Sequence, residues 1–217
     1  MTILDLGLRE YNEVWRLQKE LVVRRRVGEI PDTLILVEHP PVFTVGRQAS
    51  PGPFIFAGEA GEGVQSRRSL VAVERGGGIT FHGPGQLVGY PIVDLKSRGR
   101  DLHRFLRDLE EVLIRTLRDF SLDAHRKTGL TGVWVGPKKI ASIGIAVRQW
   151  VSYHGFALNV SVDLRYFRMI RPCGLDGDVI TSMSELLNRE VSVAEVKPAL
   201  VRRWQELFTL TPVPSPL

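Results

Sequence analysis

The sequence predicts an α/β (α+β) fold in which a mixed sheet is flanked by helices. Apolar residues recur at helical spacing over residues 10–27 and 101–120, while residues 131–160 are rich in strand-like runs. No internal repeat appears, and no linker is long enough to force two domains. We therefore expect one domain over residues 1–210 and a proline-rich tail at 211–217.

The elements follow from local pattern. The first helix places Tyr11, Val14, Trp15, Leu21 and Val22 near one face, with Glu20 and Arg24 as an i,i+4 pair elsewhere. Strands are predicted at 33–37, 42–46, 70–74 and 87–93, and a mobile loop rich in Gly, Pro and Ser at 47–69.

Polar residues mark the starts of the later helices. Asp101 caps the helix that runs to residue 120, and Ser182 with Glu185 and Ser192 with Glu195 form capping boxes. Pro198 is expected to kink or divide the last helix.

Composition excludes several classes of protein. One cysteine among 217 residues cannot form an internal disulfide, and the chain has neither a signal-peptide layout nor a membrane-length apolar run. We expect a cytoplasmic protein with no membrane association. The net charge of +5 suits an acidic partner. No group of aromatic residues is interleaved with the arginine groups at 24–26, 67–68 and 202–203, as nucleic-acid stacking would require. The five histidines show no metal-ligand spacing, so no metal is expected.

Residues 75–86, RGGGITFHGPGQ, form a glycine-dense string. Three consecutive glycines permit positive φ and leave the backbone open to a close ligand. The string lacks the Gly-Lys-Ser/Thr of a Walker loop and the spacing of a dinucleotide fingerprint. A stiff structural loop is the alternative interpretation.

Cys173 is a candidate nucleophile because Pro172 and Gly174 place it in a turn and Arg171 favours its thiolate. The alternative is a buried structural cysteine. Lys138 and Lys139 are candidate activating cations. On a strand they point to opposite faces, and the pattern does not decide which one faces a cleft or whether both are solvated.

Five strings in order carry a family resemblance: 38–47, 75–86 continuing to 90–92, 139–144, 154–159 and 172–175. The chain resembles the lipoyl(octanoyl) transferases. The resemblance implies a fold like the biotin and lipoate protein ligase catalytic domains, with Cys173 carrying octanoyl as a thioester and Lys139 paired with it. It implies that the acyl chain lies against three segments: Arg75, Gly76, Gly77, Gly78, Ile79, Thr80, Phe81 and His82; Ser142, Ile143 and Gly144; and Gly155, Phe156 and Ala157.

The resemblance also implies the partners and the place in metabolism. The donor is octanoyl-acyl carrier protein, and the acceptors are lipoyl domains of 2-oxo acid dehydrogenases and the glycine cleavage H protein, in lipoate biosynthesis and protein lipoylation. No cofactor is implied, and we expect a monomer.

Three alternatives share parts of these observations. A lipoate or biotin protein ligase would activate a free acid with ATP and need no acyl-cysteine. A non-catalytic module would bind an acyl carrier without passing the acyl group on. A related amidotransferase would move octanoyl from one protein domain to another.

Overall fold

A computed structural model describes residues 1–48, 70–170 and 177–209. Cys173, the rest of segment 171–176, most of the predicted 47–69 loop and the 211–217 tail lie outside the described residues. The described elements are ten strands and five α-helices: β1 (Thr2–Leu8), α1 (Tyr11–Arg26), β2 (Thr33–Glu38), β3 (Val42–Val45), β4 (Leu70–Ala72), β5 (Ile79–His82), β6 (Gln86–Ile92), α2 (Leu102–Arg118), β7 (Ala124–Lys127), β8 (Leu130–Val135), β9 (Lys138–Arg148), β10 (Val151–Asn159), α3 (Arg165–Arg168), α4 (Met183–Leu187) and α5 (Val193–Thr209).

Seven strands form the main sheet in the order β1-β2-β6-β10-β9-β8-β7. The β1–β2 pair is parallel and the other neighbours are antiparallel, which makes the sheet mixed as predicted. A second sheet has the strand order β4-β3-β5. Its strand β5 is part of the glycine-dense string and brings that string close to the main sheet. Every residue of β6 and β10 is buried, since these strands lie at the centre of the main sheet.

Helices cover both faces of the main sheet. Helices α2 and α5 pack together, and their apolar residues join a core that includes Leu87, Leu158 and Trp204. Helix α1 packs on β6 and β10, where Val14 and Val22 meet Tyr90 and Val151 in a second cluster. No helix in the described segments is long and apolar enough to cross a membrane.

The three predicted cap residues are confirmed, whereas the glutamates of the two predicted capping boxes bind other side chains. Asp101 Oδ1 accepts a hydrogen bond from the Arg104 N–H at 2.9 Å, and Ser182 and Ser192 accept from the N–H groups three residues on. Two expectations differ from the structure. Strand β1 was not predicted, because it is a half-exposed edge strand. Helix α5 continues through Pro198, so this residue does not divide the helix, and the kink stays a prediction.

Candidate active site

A cavity of about 470 Å³ lies where β9 and β10 meet the glycine-dense string. Its volume is in the range of small-molecule sites. The wall combines backbone from Gly76, Gly77, Gly144 and Gly155 with side chains of the sheet, α1, α2 and the β7–β8 turn. Those side chains include Tyr11, Arg75, Thr80, His82, Tyr90, Leu106, Leu130, Lys139, Ser142, Ile143, His154, Phe156 and Ala157.

Strand pairing brings two of the predicted segments together. In the β9–β10 register, Gly155 is opposite Gly144, Phe156 opposite Ile143 and Ala157 opposite Ser142. All six residues line the cavity. A single antiparallel pair therefore builds one wall.

The glycines of this wall allow backbones to approach closely. A Cβ at Gly155 would lie 2.1 Å from the Gly89 carbonyl oxygen, and a Cβ at Gly144 would lie 3.0 Å from that of Gly76. Gly155 is therefore required by strand packing. In the glycine-dense string, Gly77 has a φ of 82°, a left-handed conformation that favours glycine.

Arg75 holds the glycine-dense string in place. Its Nη1 donates to the carbonyls of Gly76 and Gly78 at 3.1 and 2.9 Å, and its Nη2 donates to the Thr44 carbonyl and hydroxyl, both at 2.8 Å. Only 7% of the residue is exposed. A buried guanidinium with several charge-assisted hydrogen bonds fixes loop geometry strongly, so Arg75 shapes the wall as well as lining it.

Three residues of the predicted 75–82 segment, Gly78, Ile79 and Phe81, do not line the cavity. Phe81 is 1% exposed and packs with Phe43 and Phe167, with its ring stacked on Tyr166 at 4.2 Å. Strand alternation explains this placement, because Thr80 and His82 point to the cavity and Phe81 points away.

The two candidate lysines have different surroundings. Lys138 is half-exposed, and its Nζ donates to the Asp178 carbonyl at 2.9 Å. Lys139 lines the cavity, is 6% exposed and has its Nζ 5.8 Å from the Trp134 ring centroid. The backbone of Lys139 forms a bridge with Ile180, and its carbonyl accepts from the Thr181 N–H at 3.0 Å. The chain that follows segment 171–176 is thereby tied to the strand that carries Lys139.

Two residues that support Lys139 were missed by sequence analysis. Gly132 has a φ of 123°, and a Cβ there would lie 2.6 Å from Lys139 Cε. The Gly132 N–H donates to Glu110 Oε1 at 3.1 Å, and Glu110 is 1% exposed and paired with Arg107 and Arg126. The sequence signal that could have identified Glu110 is a charged residue among the apolar residues on the buried side of α2, since glutamate is seldom buried without a partner.

Three buried histidines lie at or behind the cavity wall: His82 and His154 line the cavity, and His39 contacts the lining residue Tyr90. His39 Nδ1 donates to the Arg9 carbonyl at 2.7 Å, so its Nε2 accepts from the Tyr90 hydroxyl at 2.8 Å. Burial lowers the pKa of His39 to about 4. Burial also lowers the pKa of His154 to about 4, although Glu74 Oε2 lies 3.3 Å from its Nε2, and that of His82 to about 3. The described part of the chain contains no group of three or more His, Cys, Asp or Glu that could hold a metal ion.

Comparison with known proteins identifies the family. The model of the lipoyl protein ligase A/B catalytic domain matches residues 10–205. The octanoyltransferase of Rubrobacter xylanophilus is 50% identical over 207 residues, covering 93% of this chain and 90% of that protein. The octanoyltransferase of Syntrophotalea carbinolica is 46% identical over 208 residues, covering 96% of this chain and 94% of that protein.

Solved structures show the same fold at low sequence identity. Lipoate-protein ligase A bound with ATP gives a TM-score of 0.71 at 19% identity, covering 96% of this chain and 85% of that one. A biotin protein ligase from Aquifex aeolicus gives 0.55 at 13% identity, covering 96% and 69%. The expected ligase-like fold is confirmed. The chain is an acyltransferase and belongs to the lipoyl protein ligase A/B catalytic domain family.

Proposed function

We propose that the protein transfers an octanoyl group from octanoyl-acyl carrier protein to a lysine of lipoyl domains, through a thioester on Cys173. The acceptors are the lipoyl domains of 2-oxo acid dehydrogenases and the glycine cleavage H protein. The observation that carries the proposal is the burial of Lys139 in the wall of a cavity built partly from glycine backbone. The octanoyltransferase relatives support the choice of acyl group.

The cavity offers an apolar surface for the acyl chain. Leu106, Ile143 and Phe156 line it, and bare glycine backbone lets a chain lie flat. Six methylenes buried at about 0.8 kcal/mol each contribute about 5 kcal/mol. One methylene more or less changes binding by roughly 1–3 kcal/mol, so acyl groups of neighbouring length are accepted at reduced rates.

Lys139 supplies the charge that a cysteine nucleophile needs. A thiol with an ordinary pKa of about 8.5 is only a few per cent ionised at neutral pH, and a nearby ammonium favours the thiolate. The thiolate attacks the donor carbonyl, the new C–S bond replaces the old one, and the carrier's thiolate leaves with a proton from Lys139. The acceptor amine then attacks the acyl-cysteine, with the deprotonated Lys139 available as base.

An ATP-dependent ligase is the second candidate, because the fold matches lipoate-protein ligase A bound with ATP. The two functions differ in one reagent. A ligase forms an acyl-adenylate from free octanoate and ATP, whereas the transferase requires an acyl thioester and leaves ATP unused.

Intact-mass spectrometry after incubation with octanoyl-acyl carrier protein tests the proposal. Wild type should gain a hydroxylamine-labile octanoyl adduct that is absent in Cys173→Ser and slow to form in Lys139→Ala. Lys138→Ala is the matched control and should acylate like wild type, since Lys138 contacts Asp178 outside the cavity wall. Transfer to a lipoyl domain without any adduct would refute the thioester route, and adenylate formation would favour the ligase.

A further inference from the structure

A shift in strand register places Lys139 directly opposite Trp134. In the β8–β9 ladder, Val133 pairs with Ala141. A regular ladder would then pair Trp134 with Ile140, but Trp134 pairs with Lys139, so Ile140 is an extra residue in β9. Such β-bulges are common beside active sites, where they redirect a side chain, and side chains directly opposite each other on neighbouring strands interact. The bulge therefore brings the buried lysine of the cavity wall to an indole.

The indole of Trp134 lies near two ammonium groups. Lys139 Nζ is 5.8 Å from a ring centroid of the indole, and Lys127 Nζ is 4.6 Å from it. Both distances are within the range of about 6 Å in which an aromatic face attracts a cation, and tryptophan is the strongest aromatic partner. Lys127 is exposed, whereas Lys139 is 6% and Trp134 1% exposed. Burial excludes the water that would screen the attraction to Lys139.

The indole nitrogen gives no other reason for a tryptophan at this position. Trp134 Nε1 is buried and has no hydrogen-bond partner in the described part of the chain. A buried donor without a partner lowers stability, and a buried tryptophan usually finds an acceptor for this group. A phenylalanine would fill the core without that cost. The contact of the indole face with Lys139 is therefore the property of tryptophan for which this site has a use.

Neighbouring elements hold the ring and the lysine in place. Strand β8 pairs with β7 through His125 opposite Trp134, and with β9 through Lys139. The same strand is anchored to α2, because the Gly132 N–H donates to the buried carboxylate of Glu110 at 3.1 Å. A side chain on a strand that is held from both edges and by a helix is preorganised, so the indole is a fixed partner for the ammonium.

The proposed reaction favours an aromatic partner for Lys139. In that reaction Lys139 gives one proton to the departing thiolate of the carrier and later takes one from the acceptor amine. A buried carboxylate would bind the ammonium through a strong charge-assisted hydrogen bond and make its proton hard to release. An aromatic face attracts the same charge more weakly and leaves the N–H groups available. Resting on the proposed function, we propose that Trp134 is a positioning residue whose indole face stabilises the Lys139 ammonium at the cavity wall.

Site-specific incorporation of fluorinated tryptophans at position 134 tests the role of the ring. Fluorine withdraws electrons from the aromatic face that attracts the cation and changes the side-chain volume little, so core packing stays nearly constant. Single-turnover loading by octanoyl-acyl carrier protein, measured by quenched intact-mass spectrometry, should slow stepwise from tryptophan to tetrafluorotryptophan. We expect a total loss of about 10-fold to 30-fold, which corresponds to about 1.4–2 kcal/mol.

Matched controls separate charge from packing. The same series at Trp204, which is 0% exposed and stacked on Phe208 at a centroid distance of 3.7 Å, should leave loading unchanged. At position 134 the dependence on fluorine should persist in Lys127→Ala and disappear in Lys139→Ala, because the ring acts on loading through Lys139 alone. Loading that does not depend on fluorination at position 134, or a dependence that persists in Lys139→Ala, would overturn the inference.

The failure of this inference is distinguishable from the failure of the proposed function. Wild type that gains no octanoyl adduct, or Lys139→Ala that loads as fast as wild type, would overturn the proposed function or the part of Lys139 in it. A slow Lys139→Ala variant together with a flat fluorination series would overturn only the role of Trp134.

Discussion

Replacing Gly132 by alanine tests whether the path of the Lys139 side chain depends on a missing Cβ. Gly132 lies in β8 with a φ of 123°, and an added Cβ would lie 2.6 Å from both Lys139 Cε and the Ala141 carbonyl oxygen, and 3.2 Å from Lys139 Nζ. The Ala141 carbonyl belongs to the neighbouring strand β9, whose backbone cannot shift easily. The methyl must therefore displace the lysine side chain or shift β8.

Two costs add in the Gly132→Ala variant. An unfavourable backbone conformation costs roughly 1–3 kcal/mol, and overpacking a filled site costs roughly 1–3 kcal/mol. The expected loss of unfolding free energy is about 2–6 kcal/mol, a large share of the roughly 5–15 kcal/mol typical of a domain. A displacement of about 1 Å at a reacting group lowers the rate about 100-fold, so octanoyl transfer should fall further than stability alone explains.

Urea unfolding and single-turnover octanoyl transfer measure the two effects. Gly136→Ala is the matched control, because Gly136 also has a positive φ, of 53°, but nothing lies within 4 Å of an added Cβ. It should lose a little stability and keep its transfer rate. If Gly132→Ala were as stable and as active as Gly136→Ala, the packing argument for Lys139 would be refuted.

Three further predictions concern the string, the histidines and the charge. Arg75→Lys should lower the free energy of unfolding by about 2–4 kcal/mol in urea titrations, because lysine cannot replace the four hydrogen bonds to Thr44 and the string. Stability should fall as pH drops from 6.5 towards 4, since the unfolded chain protonates histidines whose folded pKa is depressed. His39 and His154 should each contribute about 3 kcal/mol of this loss. In melting experiments at several pH values, the melting temperature of His39→Gln should therefore fall less steeply than that of wild type as the pH drops. Transfer from acyl carrier protein should slow with rising salt, given the net charge of +5, whereas a rate independent of salt would contradict charge steering.

Local signals predicted the elements that depend on neighbours in sequence. The caps at Asp101, Ser182 and Ser192 need only residues three positions away, and the apolar stripe of α2 repeats within one helix. Strand β1 escaped prediction because its pairing partner is β2, beyond a whole helix, and its burial is incomplete. The sequence could not show that pairing.

The candidate site also contains residues that local sequence patterns predicted and residues that they did not. The string at 75–82 and the lysine pair stand out in the sequence, but which lysine lines the cavity depends on the register of β9 with β8 and β10. Gly132 acts through contacts with Lys139 and Ala141 on the neighbouring strand, so no local pattern marks it. Gly155 stands out in the sequence as part of a segment predicted to bind the acyl chain. The structure adds a second reason for this glycine, because its lack of a side chain allows the close approach of Gly89.

The most direct test of the central claim is a chase of isolated octanoyl-enzyme with an apo lipoyl domain, without ATP or acyl carrier protein. The account predicts that the octanoyl mass leaves Cys173 at the same rate as it appears on the lysine of the lipoyl domain. An octanoyl-enzyme that stays loaded, or that loses its acyl group only to water while the lipoyl domain remains unmodified, would contradict the account.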